Sequence, residues 1–313
     1  MTAEMKPPKR VFIVGCPRSG TTFLQYSLAS HADVLSLPET TFFDRILNHT
    51  RRWLNDEPVL PQTRMLGLAR GRTHRCAPGA LQELATQLGD TQGGPYRHWR
   101  TSGYINHFVA LLDRAANRYG RSVWIEKSPV HVAFIDLIEQ HIPDALFIHV
   151  LRGGEDVVAS ILDVGLRYHA FERARGFDHW IPHWTRYWNR AIATHQRHFG
   201  RPRHCFVCQE DLAERYESES ARILYFLGLD PNRRGEPALA ISDASQEPWK
   251  RGALSTQAKP SERKVEALFG PQLRRWLHEQ LTPYAPIRAQ VAALAGYTPP
   301  ALMPRALWAA RAR

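Results

Sequence analysis

The chain has 313 residues, 43% of them hydrophobic, and a formal net charge of +11. That length holds one large α/β domain or two small ones around a sizeable core, and four cysteines do not make a disulfide framework. The basic excess suits an anionic ligand, but arginine is spread along the whole chain without a long Lys/Arg block, which counts against a nucleic-acid partner.

The N-terminal MTAEMKPPKR carries basic residues but leads into no apolar signal segment, and no apolar run of about 20 residues occurs anywhere. The expectation is a cytoplasmic protein without a transmembrane segment. Residues 11–14, VFIV, are apolar and mostly β-branched and predict a buried strand. GCPRSG at 15–20 is a glycine-bounded turn. From Thr21 the pattern becomes helical, with Phe23, Leu24, Leu28 and Ala29 on one face. Strand, glycine loop and helix N-terminus together make an anion site, because the free N–H groups of the first turn and the helix dipole face the ligand. Pro17 shapes the loop, Arg18 adds a fork of donors, and Ser19, Thr21 and Thr22 add hydroxyls beside Gly20. The G-x-x-x-x-G spacing is that of a P-loop, but Thr21 stands where the P-loop has lysine. That lysine reaches the β/γ-phosphates of a triphosphate, so its absence points to another phosphate-like ligand.

An extended piece at 34–37 precedes Pro38-Glu39. Residues 40–120 then read as a mainly helical insertion, with helices near 41–56, 80–89 and 104–119, the last stopped by Gly120. Insertions of this kind cover substrates. The β/α rhythm resumes with strand 122–125, helix 130–141, the almost wholly apolar strand 145–151 and helix 156–166. Helix 179–199 places Trp180, Trp184 and Trp188 in a stripe that reads as packing. Strand 205–208 holds a lone C-x-x-C whose cysteines point to opposite faces, which argues against zinc. Helix 218–227, an irregular loop over 229–262, a helix over 262–281 and a basic amphipathic tail complete the chain. Repeated β–α crossovers predict an α/β fold: a P-loop-type parallel sheet, helices on both faces, and the helical insertion. Ligands bind such sheets beyond the strand carboxyl ends. The first loop, Glu39, Lys127 and Arg152 all fall at that edge. Arg152 and Ser160, eight residues apart in LRGGEDVVAS, suit a second phosphate.

P-R-S-G-T-T before a helix, then E-K-S-P-x-H, R-x-x-x-D-x-x-x-S and E-D-L, resembles the sulfotransferases that use 3′-phosphoadenosine 5′-phosphosulfate, above all the bacterial branch and the tyrosylprotein sulfotransferases. The resemblance covers about two-thirds of the chain and fails over 40–120. It implies that Arg18, Ser19, Gly20, Thr21 and Thr22 grip the 5′-phosphosulfate and that Arg152 and Ser160 hold the 3′-phosphate. A basic loop, here Lys250 and Arg251 after Trp249, would close over the nucleotide, making 229–262 a nucleotide-closing loop in a single domain spanning 1–313. Sulfuryl transfer needs no metal. Lys127 is the candidate cation for the leaving group, and Glu39, by its place in the family, the candidate base; His131 competes for that role from four residues beyond Lys127. Two departures stand out. Gly154 replaces a usual proline, and Gln209 replaces the tyrosine that usually precedes E-D-L, whose Glu210 and Asp211 read as caps of the next segment.

The expected reaction is transfer to a hydroxyl of a small molecule, glycan or lipid precursor. A tyrosyl protein acceptor and a P-loop small-molecule kinase are the alternatives. Trp53, Tyr96, His98, Trp99, Tyr104 and Phe108 of the insertion offer aromatic surface for a carbohydrate, phenol or tyrosyl peptide.

Overall fold

The computed structural model describes residues 7–55, 71–92, 94–168, 177–238 and 264–295. Five strands, β1 (Lys9–Gly15), β2 (Val34–Ser36), β3 (Val123–Lys127), β4 (Leu146–Leu151) and β5 (His204–Cys208), form one sheet in the order β2-β3-β1-β4-β5. Every pairing is parallel. Val11 lies between Ile125 of β3 and Leu146 of β4, and Ser36 of β2 lies beside Ile125.

Alternation along the strands splits the core into two layers. Val11, Ile13, Ile125, Ile148, Val150 and Val207 pack under α1 (Thr21–Ala29) on one face, joined by Ile223 and Leu224 of α10 (Tyr216–Phe226). Phe12, Val14, Trp124, Phe147 and Phe206 face the larger layer. That layer takes in α2 (Phe42–Leu47), α3 (Thr50–Leu54), α4 (Arg72–Gln87), α5 (Thr101–Arg118), α6 (Ile135–His141), α7 (Gly154–Tyr168) and α8 (Phe177–Arg197). Burial on both faces is why the strands are apolar throughout rather than alternating. The short α9 (Gln209–Glu214) follows β5, and α11 (Lys264–Leu268), α12 (Pro271–Gln280) and α13 (Tyr284–Leu294) complete the described elements. Among the described residues no helix is long and apolar enough to cross a membrane.

Several expected boundaries move. The helix read over 41–56 breaks into α2 and α3 at Asn48, which adopts a left-handed φ of 50°. The stretch 130–141 opens as a 3₁₀ turn over Pro129–Phe134, because Pro129 fixes the first turn, and becomes α-helical only at Ile135. The strand read as 122–125 extends to Lys127, so Glu126 and Lys127 belong to β3 itself. The helix read over 262–281 is interrupted at Gly270-Pro271, and α13 was not anticipated. Phe23 is only half-buried; Thr21 and Gln25 join Leu24, Leu28 and Ala29 on the buried side of α1. The tryptophan stripe is packing, with Trp180 and Trp188 buried. Cys205 and Cys208 fall into opposite core layers, and all four cysteines are free.

Candidate functional site

β1 delivers the chain to the carboxyl edge in the middle of the sheet. A Cβ on Gly15 would lie 2.5 Å from the Val150 carbonyl oxygen, so the strand leaves the sheet where only glycine fits. Gly20 closes the turn at φ 92°, and a Cβ there would meet Gln209 Cγ at 2.9 Å. Arg18 also takes a left-handed φ, 71°, a conformation that non-glycine residues adopt at a cost and mostly at functional turns. The Ser19 N–H donates to the Cys16 carbonyl at 3.1 Å, and helical bonding begins with Leu24 N–H to the Gly20 carbonyl. The N–H groups of Thr21, Thr22 and Phe23 therefore have no intrahelical acceptor. Ser19 Oγ is buried and has no hydrogen-bond partner among the described residues. Pro17 and Thr22 are half-buried at the mouth of the turn. Oriented donors, an orphaned hydroxyl and the positive end of α1 converge as a phosphate-like group requires.

The second basic motif meets the first. Arg18 Nε donates to Ser160 Oγ at 3.3 Å, and Arg152 Nη1 donates to the Arg18 carbonyl at 2.9 Å. The Arg152 carbonyl accepts from Trp188 Nε1 at 2.9 Å, so the tryptophan stripe also fixes this strand end. Glu210 accepts the Gly153 N–H at 2.9 Å and the Tyr284 hydroxyl at 2.9 Å, and Asp211 accepts from Arg288 at 2.8 Å. These acids are structural, but they do not cap the segment that follows them; they bind the start of α7 and α13, since α9 and α10 have no side-chain caps.

Beside the loop, Lys127 Nζ lies 2.5 Å from Glu39 Oε2. Lys127 is 2% exposed and Glu39 28%, so the carboxylate fronts the opening while the ammonium sits behind it. Lys127 is in register with Ile13 of β1, two residues short of Gly15. The segment carrying Glu39 is pinned from two sides. Gln25 of α1 donates to the Leu37 carbonyl at 2.7 Å and to Ser36 Oγ at 3.0 Å. Thr40 Oγ1 and Ser128 Oγ both donate to Glu126 Oε1, at 2.8 and 2.5 Å, and Thr41 N–H donates to Ser128 Oγ at 2.8 Å.

Glu126 is fully buried. Burial pushes its carboxyl up, but the His131 ring and the Ser128 and Thr40 hydroxyls more than offset this and hold it below its ordinary value. His131 Nε2 accepts the Phe43 N–H at 3.3 Å, so Nδ1 carries the proton and donates to Glu126 Oε2 at 2.9 Å. His131 is 0% exposed and spends both ring nitrogens on this network. The sequence reading overlooked Gln25 and the hub role of Glu126; a polar residue on the buried face of α1 and an acid in an apolar strand were the available signals.

Lys250 and Arg251 lie outside the described residues, as does most of the loop read over 229–262. Of the insertion aromatics, Trp53, Tyr96, Tyr104 and Phe108 are core side chains, which corrects the reading of a broad aromatic surface; Trp99 alone among them is open, 86% exposed. His98 is tied to His107 at 2.9 Å. Glu39 also walls a small recess with Arg45, Glu83 and Gln87 between α2 and α4, where Arg45 Nη2 meets Glu83 Oε2 at 2.6 Å.

Residues 8–233 match the Sulfotransferase family. The chain is 25% identical over 225 residues to the protein-tyrosine sulfotransferase of Drosophila melanogaster; the match covers 71% of this chain but 38% of that protein. Among solved structures it is similar to the sulfotransferase domain of the Synechococcus PCC 7002 olefin synthase, at 20% identity over 95% of this chain and 96% of that one, with a TM-score of 0.45. Sulfotransferase STF9 of Mycobacterium avium is 13% identical over 88% of this chain and 76% of that one, with a TM-score of 0.49.

Proposed function

The chain belongs to the sulfotransferase family, and on that premise we propose that it transfers the sulfuryl group of 3′-phosphoadenosine 5′-phosphosulfate to a hydroxyl. The observation that carries the donor reading is the junction of the two anion motifs: Arg18 reaches Ser160 while Arg152 holds the Arg18 carbonyl. A ligand with two separated phosphates matches two donor sets so joined. The loop N–H groups, Ser19, Thr21 and Thr22 serve the 5′-phosphosulfate; Arg152 and Ser160 serve the 3′-phosphate. Thr21 in place of lysine is in keeping with a donor that has no γ-phosphate.

In this reading the acceptor oxygen attacks sulfur in line, and the sulfur–oxygen bond to the 5′-phosphate breaks. The acceptor proton passes to Glu39. The bond electrons go to the bridging oxygen of the departing bisphosphate, where the Lys127 ammonium steadies the charge. The 2.5 Å contact between the two side chains supports this division, because it keeps base and cation next to each other on one edge. His131 is read as a positioning residue, supported by its two ring contacts within the core.

A single domain is part of the proposal, with α2–α5 as the acceptor-side cover. A small molecule, glycan or lipid precursor whose hydroxyl reaches the 28%-exposed Glu39 carboxylate is the first reading; a tyrosyl hydroxyl is the second, favoured by the similarity to the Drosophila protein-tyrosine sulfotransferase. A cytoplasmic setting goes with four free cysteines. Titration with adenosine 3′,5′-bisphosphate and with ATP tests the donor. Tight binding of the bisphosphate and none of ATP is expected; the reverse sinks the reading.

A further inference from the structure

The far edge of the sheet carries a polar cluster with no part in the proposed chemistry. His198 follows α8, and Asp136 and Glu139 lie on α6, all near the amino ends of β4 and β5. One ligand atom from each of the three lies within 4.8 Å of the other two. His198 Nε2 is 3.1 Å from Asp136 Oδ1 and 3.8 Å from Glu139 Oε2.

The other ring nitrogen decides what this cluster holds. His198 Nδ1 is 2.8 Å from the Thr194 carbonyl, which can only accept, so Nδ1 bears the proton. That leaves Nε2 as the ring atom facing the two carboxylates. One imidazole nitrogen and two carboxylate oxygens thus converge on one point, a donor set that can hold a metal ion. The ring itself is 0% exposed and is fixed in this orientation from behind by a backbone carbonyl, as metal-binding imidazoles are. Glu139 is steadied in turn, since His204 Nε2 lies 3.1 Å from its Oε1.

We propose that Asp136, Glu139 and His198 form a divalent transition-metal site, with zinc the preferred ion. One imidazole and two carboxylates suit zinc, which binds nitrogen and oxygen at about 2.0–2.2 Å and takes water as its fourth ligand. Donors around such an ion stand about 3.4 Å apart; here Nε2 stands 3.1 and 3.8 Å from the two carboxylates, and the whole set lies within 4.8 Å. Arg201 meets Glu139 Oε2 at 3.0 Å, Arg203 meets its Oε1 at 3.4 Å, and Arg197 lies 3.9 Å from Asp136 Oδ2. All three are at least 38% exposed, so these contacts are partly solvated. Lying at the edge opposite the phosphate loop, the ion clamps α6 to the turn between α8 and β5 and has a structural role.

The test is equilibrium dialysis of the chelator-stripped full chain against Zn²⁺, with thermal melting in parallel. Wild type is expected to hold one zinc that raises its melting temperature. His198→Ala and Asp136→Asn are expected to weaken that binding by more than about tenfold and to lose the thermal gain. Asp136 is 70% exposed, so Asp136→Asn answers the question even where His198→Ala fails to fold. Failure of wild type to bind zinc overturns the proposal and leaves a polar contact between His198 and Asp136 without a metal. Wild-type affinity in a folded variant overturns it equally.

Discussion

Lys127 and Glu39 approach to 2.5 Å from adjacent strands, the lysine buried at the end of β3 and the glutamate half-open on the segment after β2. With Glu39 as base, Glu39→Gln removes the proton acceptor without changing the shape. We expect kcat to fall by roughly 10²–10⁴-fold with donor affinity nearly unchanged. Steady-state kinetics with bisphosphate titration check this; a near-normal kcat removes Glu39 from the reaction.

Arg152→Ala separates donor binding from chemistry. The loss of one charged hydrogen-bonding group weakens the affinity for adenosine 3′,5′-bisphosphate by about 10–100-fold. Ser160→Ala acts in the same direction but more weakly, and it also removes the 3.3 Å contact with Arg18 Nε. Calorimetric titration of each variant reads the order.

The buried Glu126 hub predicts an acid limb in stability. Its carboxyl lies below the ordinary 4.5 in the folded chain. The unfolded state therefore takes up the proton first, and the contribution is complete above about pH 4.5 and lost as pH falls through the lower native value. Glu126→Gln lowers stability at pH 7 by about 1–3 kcal/mol. Urea melts from pH 7 downward are expected to show that the gap between wild type and variant narrows below pH 4.5. A constant gap excludes the hub as its cause.

Gly20→Ala attacks the turn directly. The left-handed backbone and the 2.9 Å approach of Gln209 Cγ both resist a methyl group. A stability loss of about 1–3 kcal/mol is expected, with weaker bisphosphate binding. Gln209→Ala in the same chain relieves the contact but not the backbone cost, so only part of the loss returns.

The strand–loop–helix at 11–31 could be read from the sequence because local chemistry dictates it: β-branched residues, a glycine pair and hydroxyls before a helical pattern. Arg152 and Ser160 were legible for the same reason, since both lie on one strand–helix unit. The contact of Arg18 with Ser160 was not, because it depends on how β1 and β4 pair. Nor was the fate of His131. The sequence offers it only as a competing base; its ring contacts, one to the backbone N–H of Phe43, 88 residues away, and one to Glu126, depend on the tertiary fold. The insertion misled because apolar aromatics look alike whether they line a surface or fill the core; packing against Phe42 and Phe43 draws Phe108 inward.

The order of the strands bears on how the chain is made. Val11, at the centre of the sheet, finds its first partner in Ile125 and its second in Leu146. At about 5–20 residues per second, the ribosome exposes β1 on the order of ten seconds before either neighbour exists. Until then VFIV has no native strand to pair with, and the phosphate loop has no sheet to stand on. A nascent chain stalled before residue 123 is thus the form in which this protein is most open to chaperones and to self-association.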